Sequence, residues 1–178
     1  MSGRMKGTIS GLVLGSLLVA GAPALAGAQA RGYVGIGGGV TIPMGDFGDA
    51  LKMGWLGQVT GGVSLPNGLL GFRGNVTYGQ HKPKEGEGNL KVLGAIGDVV
   101  LTPKMEGKAA PYVVGGAGMM QFKNGESDWD LAWNAGGGVR IAAGNLGVYV
   151  EARFLQARGN GVTTNMIPIT AGVRIGGN

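Results

Sequence analysis

The chain is predicted to be all-β: an eight-stranded antiparallel up-and-down barrel that crosses a membrane. Three observations predict it. Short segments with period-two alternation of apolar and polar residues recur eight times between turn-rich or polar breaks. The polar parity of those segments is rich in Gly, Thr and Asn and holds few charges. A leader with the layout of an export signal precedes them.

The leader comes first in the chain. Arg4 and Lys6 form a positive start, Ile9 to Gly21 is an uncharged, mostly apolar run, and small residues lead to Ala28-Gln29-Ala30. This is the three-part pattern of a cleaved signal peptide, which sets residues 1–30 as the signal and 31–178 as the mature domain. A second small-x-small site, Ala24-Leu25-Ala26, leaves the position of the cut open. Cleavage removes two basic residues and lowers the net charge from +5 to +3.

The strands are expected near 32–42, 54–65, 69–79, 90–102, 111–122, 131–142, 146–155 and 165–175. The first sets Val34, Ile36, Val40 and Ile42 against a glycine-rich face. The second sets Trp55, Val59, Val63 and Leu65 against Gln58, Thr60 and Ser64. The third sets Leu70, Phe72, Val76 and Tyr78 against Arg73, Asn75 and Thr77. Strands four and five are apolar on both sides, so Asp98 and Gln121 are used to mark their polar faces. The sixth sets Trp133, Ala135, Gly137, Val139 and Ile141 against Asn134, Gly136, Gly138 and Arg140. The seventh sets Val148, Val150, Ala152 and Phe154 against Tyr149, Glu151 and Arg153. The last sets Ile167, Ile169, Ala171, Val173 and Ile175 against Pro168, Thr170, Gly172 and Arg174.

The breaks alternate. Those near 43–53, 80–89, 123–130 and 156–164 read as longer polar loops. Pro66-Asn67-Gly68 and Ala143-Gly144-Asn145 read as tight turns, because they hold residues that tolerate positive φ. A soluble barrel would carry many Lys, Glu and Asp on its outer face. Here only 14% of all residues are charged and 44% are apolar. A lipid-facing apolar parity and a polar lumen fit this composition. The 40 glycines then fall largely mid-strand: Gly35, Gly37, Gly39, Gly136, Gly138 and Gly172 on the lumen face, Gly61, Gly74, Gly116 and Gly118 on the lipid face. Trp55, Tyr78, Phe122, Trp133 and Phe154 share the apolar parity at the long-loop ends, the pattern of an interfacial aromatic girdle. Tyr112 alone stands at the other end.

An eight-stranded barrel is just wide enough for side chains to fill it. The lumen charges are Arg73, Asp98, Arg140, Glu151, Arg153 and Arg174, and burial obliges them to pair. Strand pairing places Arg73 near Asp98, and Glu151 diagonally beside Arg140 and near Arg153. Two clusters are therefore expected, with water, Gln58, Asn75 and Asn134 accommodating the excess positive charge. A salt-bridge gate passing small ions is the functional counterpart of this structural plug.

These segments, Tyr33 to Pro43, Pro111 to Phe122, Trp133 to Arg140, Val148 to Phe154 and Ile167 to Ile175, resemble the small outer-membrane β-barrels of Gram-negative-type bacteria, the OmpA/OmpX-type eight-stranded barrels. The resemblance spans 31–175. It implies residence in the cell outer membrane, both termini in the periplasm, four long loops outside the cell, and handling by the barrel-assembly machinery. Members usually finish on an aromatic residue, whereas this chain reads Ile175-Gly176-Gly177-Asn178. No peptidoglycan-binding domain is expected after the eighth strand.

The leading expectation is a non-enzymatic envelope-structural or surface-interaction protein, monomeric, with no cofactor, no metal and no catalytic residues. An adhesin or receptor acting through the loops is the alternative from the binding class. Lys82, Lys84, Lys123 and Arg158 are candidates for contact with lipopolysaccharide phosphates. A rim lipid acyltransferase or hydrolase built from His81, Ser127 and Asp128 is the enzymatic alternative, although no spacing fixes those three together. Glu126, Asp128 and Asp130 read as a solvated acidic rim rather than a cation site. The chain lacks a basic cluster, so no nucleic-acid partner is indicated. With no cysteine, it has no disulfide, thiolate site or lipid-modified cysteine.

Overall fold

The structure, a computed structural model, describes residues 30–66, 68–86, 88–124, 126–159 and 162–177, with side chains for all of these except 124 and 126–128. The predicted signal segment, apart from Ala30, lies outside the described residues. So do Asn67 of one predicted turn, Glu87 of the second long loop and Asn178.

Eight strands form in chain order: β1 (Arg31–Met44), β2 (Gly54–Ser64), β3 (Leu70–His81), β4 (Leu90–Leu101), β5 (Ala109–Asn124), β6 (Glu126–Ala143), β7 (Leu146–Gly159) and β8 (Val162–Gly176). One short helix, α1 (Asp46–Ala50), lies between β1 and β2. Each strand pairs antiparallel with its sequence neighbours, and β1 pairs with β8, so the sheet closes on itself. Closure lets mid-strand backbone groups find their partners inside the chain, the condition that lipid imposes. Tyr33 stands opposite Gly176, so the start of β1 and the end of β8 share one rim, the terminal end. The opposite rim is the distal end.

The β7–β8 ladder keeps one register but is interrupted between Ala152↔Ile169 and Leu155↔Met166. Pro168 lies in that gap and has no N–H to donate, so the ladder loses a bond there. The turns at the terminal end are made by glycine in the left-handed region, Gly68 at φ 69° and Gly144 at φ 63°.

The expected parity holds for seven of the strands. Ile36 and Val59 face outward, each 64% exposed, while Glu151 is 1% exposed. The apolar face is thus turned to the surroundings and the polar face to the interior, the arrangement of a barrel whose outer solvent is lipid.

β5 is the exception. Its inward residues are Tyr112, Val114 and Met120, all buried, and Phe122 lies on the same face. Gln121 points outward instead of marking the lumen side. Phe122 therefore does not belong to the outer aromatic girdle, and Tyr112 is a lumen residue. Gly116, expected to face lipid, also faces inward, since a side chain there would strike the Asp98 carboxylate. Gly118 shares that face. The third and fourth polar loops are corrected as well. Residues 123–130 and 156–164 are mostly strand, and β5 with β6 forms a hairpin paired from Ala109↔Ile141 to Asn124↔Glu126.

Candidate functional site

The lumen is built in layers that follow the register. At the distal end, inward residues Val92, Ile96, Met120, Leu155 and Met166 form a buried apolar cluster, with Ala132 and Ala157 between them. Small alanines beside long methionine and leucine side chains fill a narrow interior without overpacking. Over this cluster lies Phe47, carried by α1. Its ring meets Phe122 and His81 edge-on, with centroids 5.9 Å apart in each case. The first two distal loops are tied together by backbone bonds from Lys52 N to Lys82 O and from Lys84 N to Ala50 O, both 2.9 Å.

His81 ends β3 and faces inward, only 2% exposed. Its Nδ1 lies 3.2 Å from the Lys52 carbonyl. A carbonyl can only accept, so Nδ1 is the protonated nitrogen. The side chains of Ser127 and Asp128 lie outside the described residues, as does that of Glu126.

The middle layer holds the charge. Arg73 and Asp98 are direct cross-strand partners on β3 and β4. Arg73 donates through Nη2 to Asp98 Oδ2 at 2.9 Å and through Nη1 to Glu151 Oε2 at 2.7 Å. Arg153 Nε lies 2.8 Å from Glu151 Oε1 as an ion pair, and its Nη1 donates to Asp98 Oδ2 at 3.5 Å. The four side chains thus form one alternating ring joining β3, β4 and β7, and both carboxylates are fully buried. Two positive and two negative charges cancel within it.

Polar neighbours complete the ring's valences. Asn134 donates to Asp98 Oδ1 at 2.9 Å, and Asn75 donates to Asp98 Oδ2. Thr60 donates to Asn75 Oδ1 at 3.3 Å. Arg153 Nη2 donates to Gln58 Oε1, and Gln58 Nε2 donates onward to the Tyr149 hydroxyl, each at 2.9 Å. Tyr112 stands beside Glu151. Buried charges survive only with such partners, because desolvation is otherwise too costly.

The terminal layer is aromatic and cationic. Each of three inward tyrosines stands opposite a glycine across its ladder: Tyr33 and Gly62, Tyr112 and Gly138, Tyr149 and Gly172. In each case a side chain on the glycine would run into the tyrosine ring. Ring and glycine fit because nothing larger than hydrogen separates ring from backbone. Below the tyrosines lie Arg140 and Arg174. Arg174 stacks on Tyr33, its guanidinium carbon 4.5 Å from the ring centroid, and donates to Gly177 O at 3.1 Å.

Two differences from the sequence expectation stand out. The charges form one ring rather than two clusters. Arg140 and Arg174 also stand outside the ring: Glu151 is taken by Arg73 and Arg153, not by Arg140, its diagonal neighbour. Tyr112 was missed as a lumen residue because β5 has apolar residues on both faces.

On the outside, Trp55 packs on Tyr78 with centroids 5.8 Å apart, and Trp133 on Phe154 at 5.6 Å. Trp129 also faces outward near the distal end. These form the aromatic band at that rim.

Several solved structures share this architecture. The chain superposes on Neisserial surface protein A with a TM-score of 0.64 at 14% identity, over 81% of this chain and 96% of that one. It matches the outer membrane enzyme PagL with a TM-score of 0.57 at 14% identity, over 80% and 98%. It matches Ail, the attachment invasion locus protein of Yersinia pestis, with a TM-score of 0.52 at 16% identity, over 82% and 99%. At such identities these likenesses speak for the fold. No curated protein sequence matches the chain. The family profile of the outer membrane protein beta-barrel domain matches residues 12–174, and the chain belongs to that family.

Proposed function

We propose that this protein is a non-enzymatic component of the outer membrane, with an envelope-structural or surface-interaction role and a lumen plugged by its own side chains. The observation that carries the reading is the closed ring of Arg73, Asp98, Arg153 and Glu151. It spans the lumen between an apolar layer and a tyrosine layer, and its charges cancel. A conducting pore of this width would need mobile or solvated charges along its axis instead. The burial of His81 beneath Phe47 supports the non-enzymatic side, since a lipid-modifying histidine has to reach lipid or an exposed nucleophile. In the membrane the distal rim faces outward, where Lys82, Lys84, Lys123 and Arg158 meet lipopolysaccharide phosphates. The chain acts as a monomer after insertion by the barrel-assembly machinery.

Planar-bilayer recording of the purified protein tests the plug. No stable large conductance is expected; sustained large currents from the unaltered protein overturn the reading. Envelope lipid analysis of the His81→Ala strain tests the non-enzymatic role, with unchanged acyl composition expected.

A further inference from the structure

At the middle and terminal levels of the lumen four described arginines stand with two described carboxylates, Asp98 and Glu151, and the ring accounts for only two of the arginines. Arg140 and Arg174 remain, carrying two positive charges at the terminal end. Their stems run side by side. Both lie within van der Waals reach of the position a side chain at Gly147 would take, at 3.4 Å from Arg140 Cδ and 3.1 Å from Arg174 Cγ. The Nε of each is buried and has no hydrogen-bond partner among the described residues. Arg174 as a whole is only 8% exposed. A buried guanidinium donor without an acceptor is costly, and two like charges side by side add to that cost.

The same two side chains line a cavity of about 30 Å³, together with Tyr33, Thr60, Tyr112 and Tyr149. Three of its hydroxyls bear on ligand choice. Tyr112 lies against Glu151 of the ring. The Tyr149 hydroxyl accepts from Gln58 and retains its own O–H as a donor. Thr60 donates to Asn75. The lining is thus cationic, with the Tyr149 hydroxyl and the two Nε groups as unspent donors, while the nearest carboxylates are held in the ring. Arg140 is only partly buried, so the cavity is reachable from the terminal rim.

We propose that this cavity binds a small monoatomic anion of chloride size between Arg140 and Arg174. Charge selects an anion and donors hold it. The cavity is small, which suits a compact anion rather than an extended one. The ring above closes the path, so the anion is bound rather than passed.

Chloride-35 NMR of the folded protein in detergent tests this. Excess chloride linewidth that bromide displaces is expected for the unaltered protein. That excess should be lost in R140Q and R174Q and retained in the surface control K91Q, an exposed residue of β4. Absence of excess linewidth in the unaltered protein, or its persistence in R140Q and R174Q, overturns the site. Displacement by inorganic phosphate as effectively as by bromide overturns the halide assignment. Should R174Q fail to fold, bromide anomalous scattering from crystals of the unaltered protein decides. A peak between the two guanidinium groups is expected, and its absence at saturating bromide refutes the proposal.

Discussion

Above Asp98 the lumen is filled with Val92, Ile96, Met120, Leu155 and Met166 under the Phe47 ring; below it, three tyrosines and two arginines surround a small polar cavity. The distal half also keeps a cavity of about 30 Å³, but its walls are mostly apolar, with Leu56, Val92, Ile96, Met120, Leu155 and Met166 among them. The terminal half keeps a cavity of the same size walled by tyrosines and arginines, two of whose Nε donors have no partner among the described residues. The ring of four charges divides the two. A barrel of one width thus supports two kinds of interior, set by which side chains the inward parity delivers at each level.

The contrast can be broken at its boundary first. Glu151→Gln leaves Arg73 and Arg153 sharing Asp98, and loss of one partner in a buried ion pair costs about 3–5 kcal/mol. Urea unfolding in detergent should show a larger drop in stability for this substitution than for any of the three that follow. Leu155→Ala in the distal half removes packing rather than charge, with an expected cost of about 2–5 kcal/mol. Its loss should be insensitive to salt, as dispersion and burial are, and strong salt dependence would argue against a dry distal layer. Phe47→Ala removes a partly buried ring, costing about 1 kcal/mol on the scale of side-chain burial. Its sharper readout is faster modification of His81 by diethyl pyrocarbonate. An unchanged rate would mean that Phe47 does not cover the histidine. The smallest effect is expected outside, where Trp133→Ala loses one aromatic pair worth about 0.5–1.5 kcal/mol, followed by thermal unfolding in lipid.

Much of this architecture was legible in the sequence, for a physical reason: where lipid meets one face and a polar lumen the other, the alternation is visible. Val148, Val150 and Ala152 against Tyr149, Glu151 and Arg153 is the clearest case. The Arg73–Asp98 pairing followed from register alone. The signal fails where both faces meet similar solvents. In β5 the inward residues are largely apolar at both levels, so Val113 and Val114, or Met119 and Met120, do not differ in kind. Gln121 misleads because it sits near the distal rim, where an outward polar residue is tolerated. At 123–130 and 156–164 the strands run on toward the rim, where polar residues suit both faces and a continuing strand reads as a loop. The single ring was hidden for a different reason. Glu151 chooses Arg73 from across the lumen over Arg140 on its neighbouring strand, a choice set by barrel diameter rather than by sequence spacing.

The central claim is that Arg73, Asp98, Arg153 and Glu151 act as one unit that closes the lumen. A double-mutant cycle on Arg73→Met and Glu151→Gln, read by equilibrium unfolding in lipid, tests it most directly. Groups in one buried network couple by about 0.5–3 kcal/mol, whereas independent sites add to within about 0.5 kcal/mol. The expected result is a double variant markedly less destabilised than the sum of its parts, by about 2 kcal/mol on that scale. Strict additivity would contradict the account, because it would leave the two residues without a shared bond across the barrel.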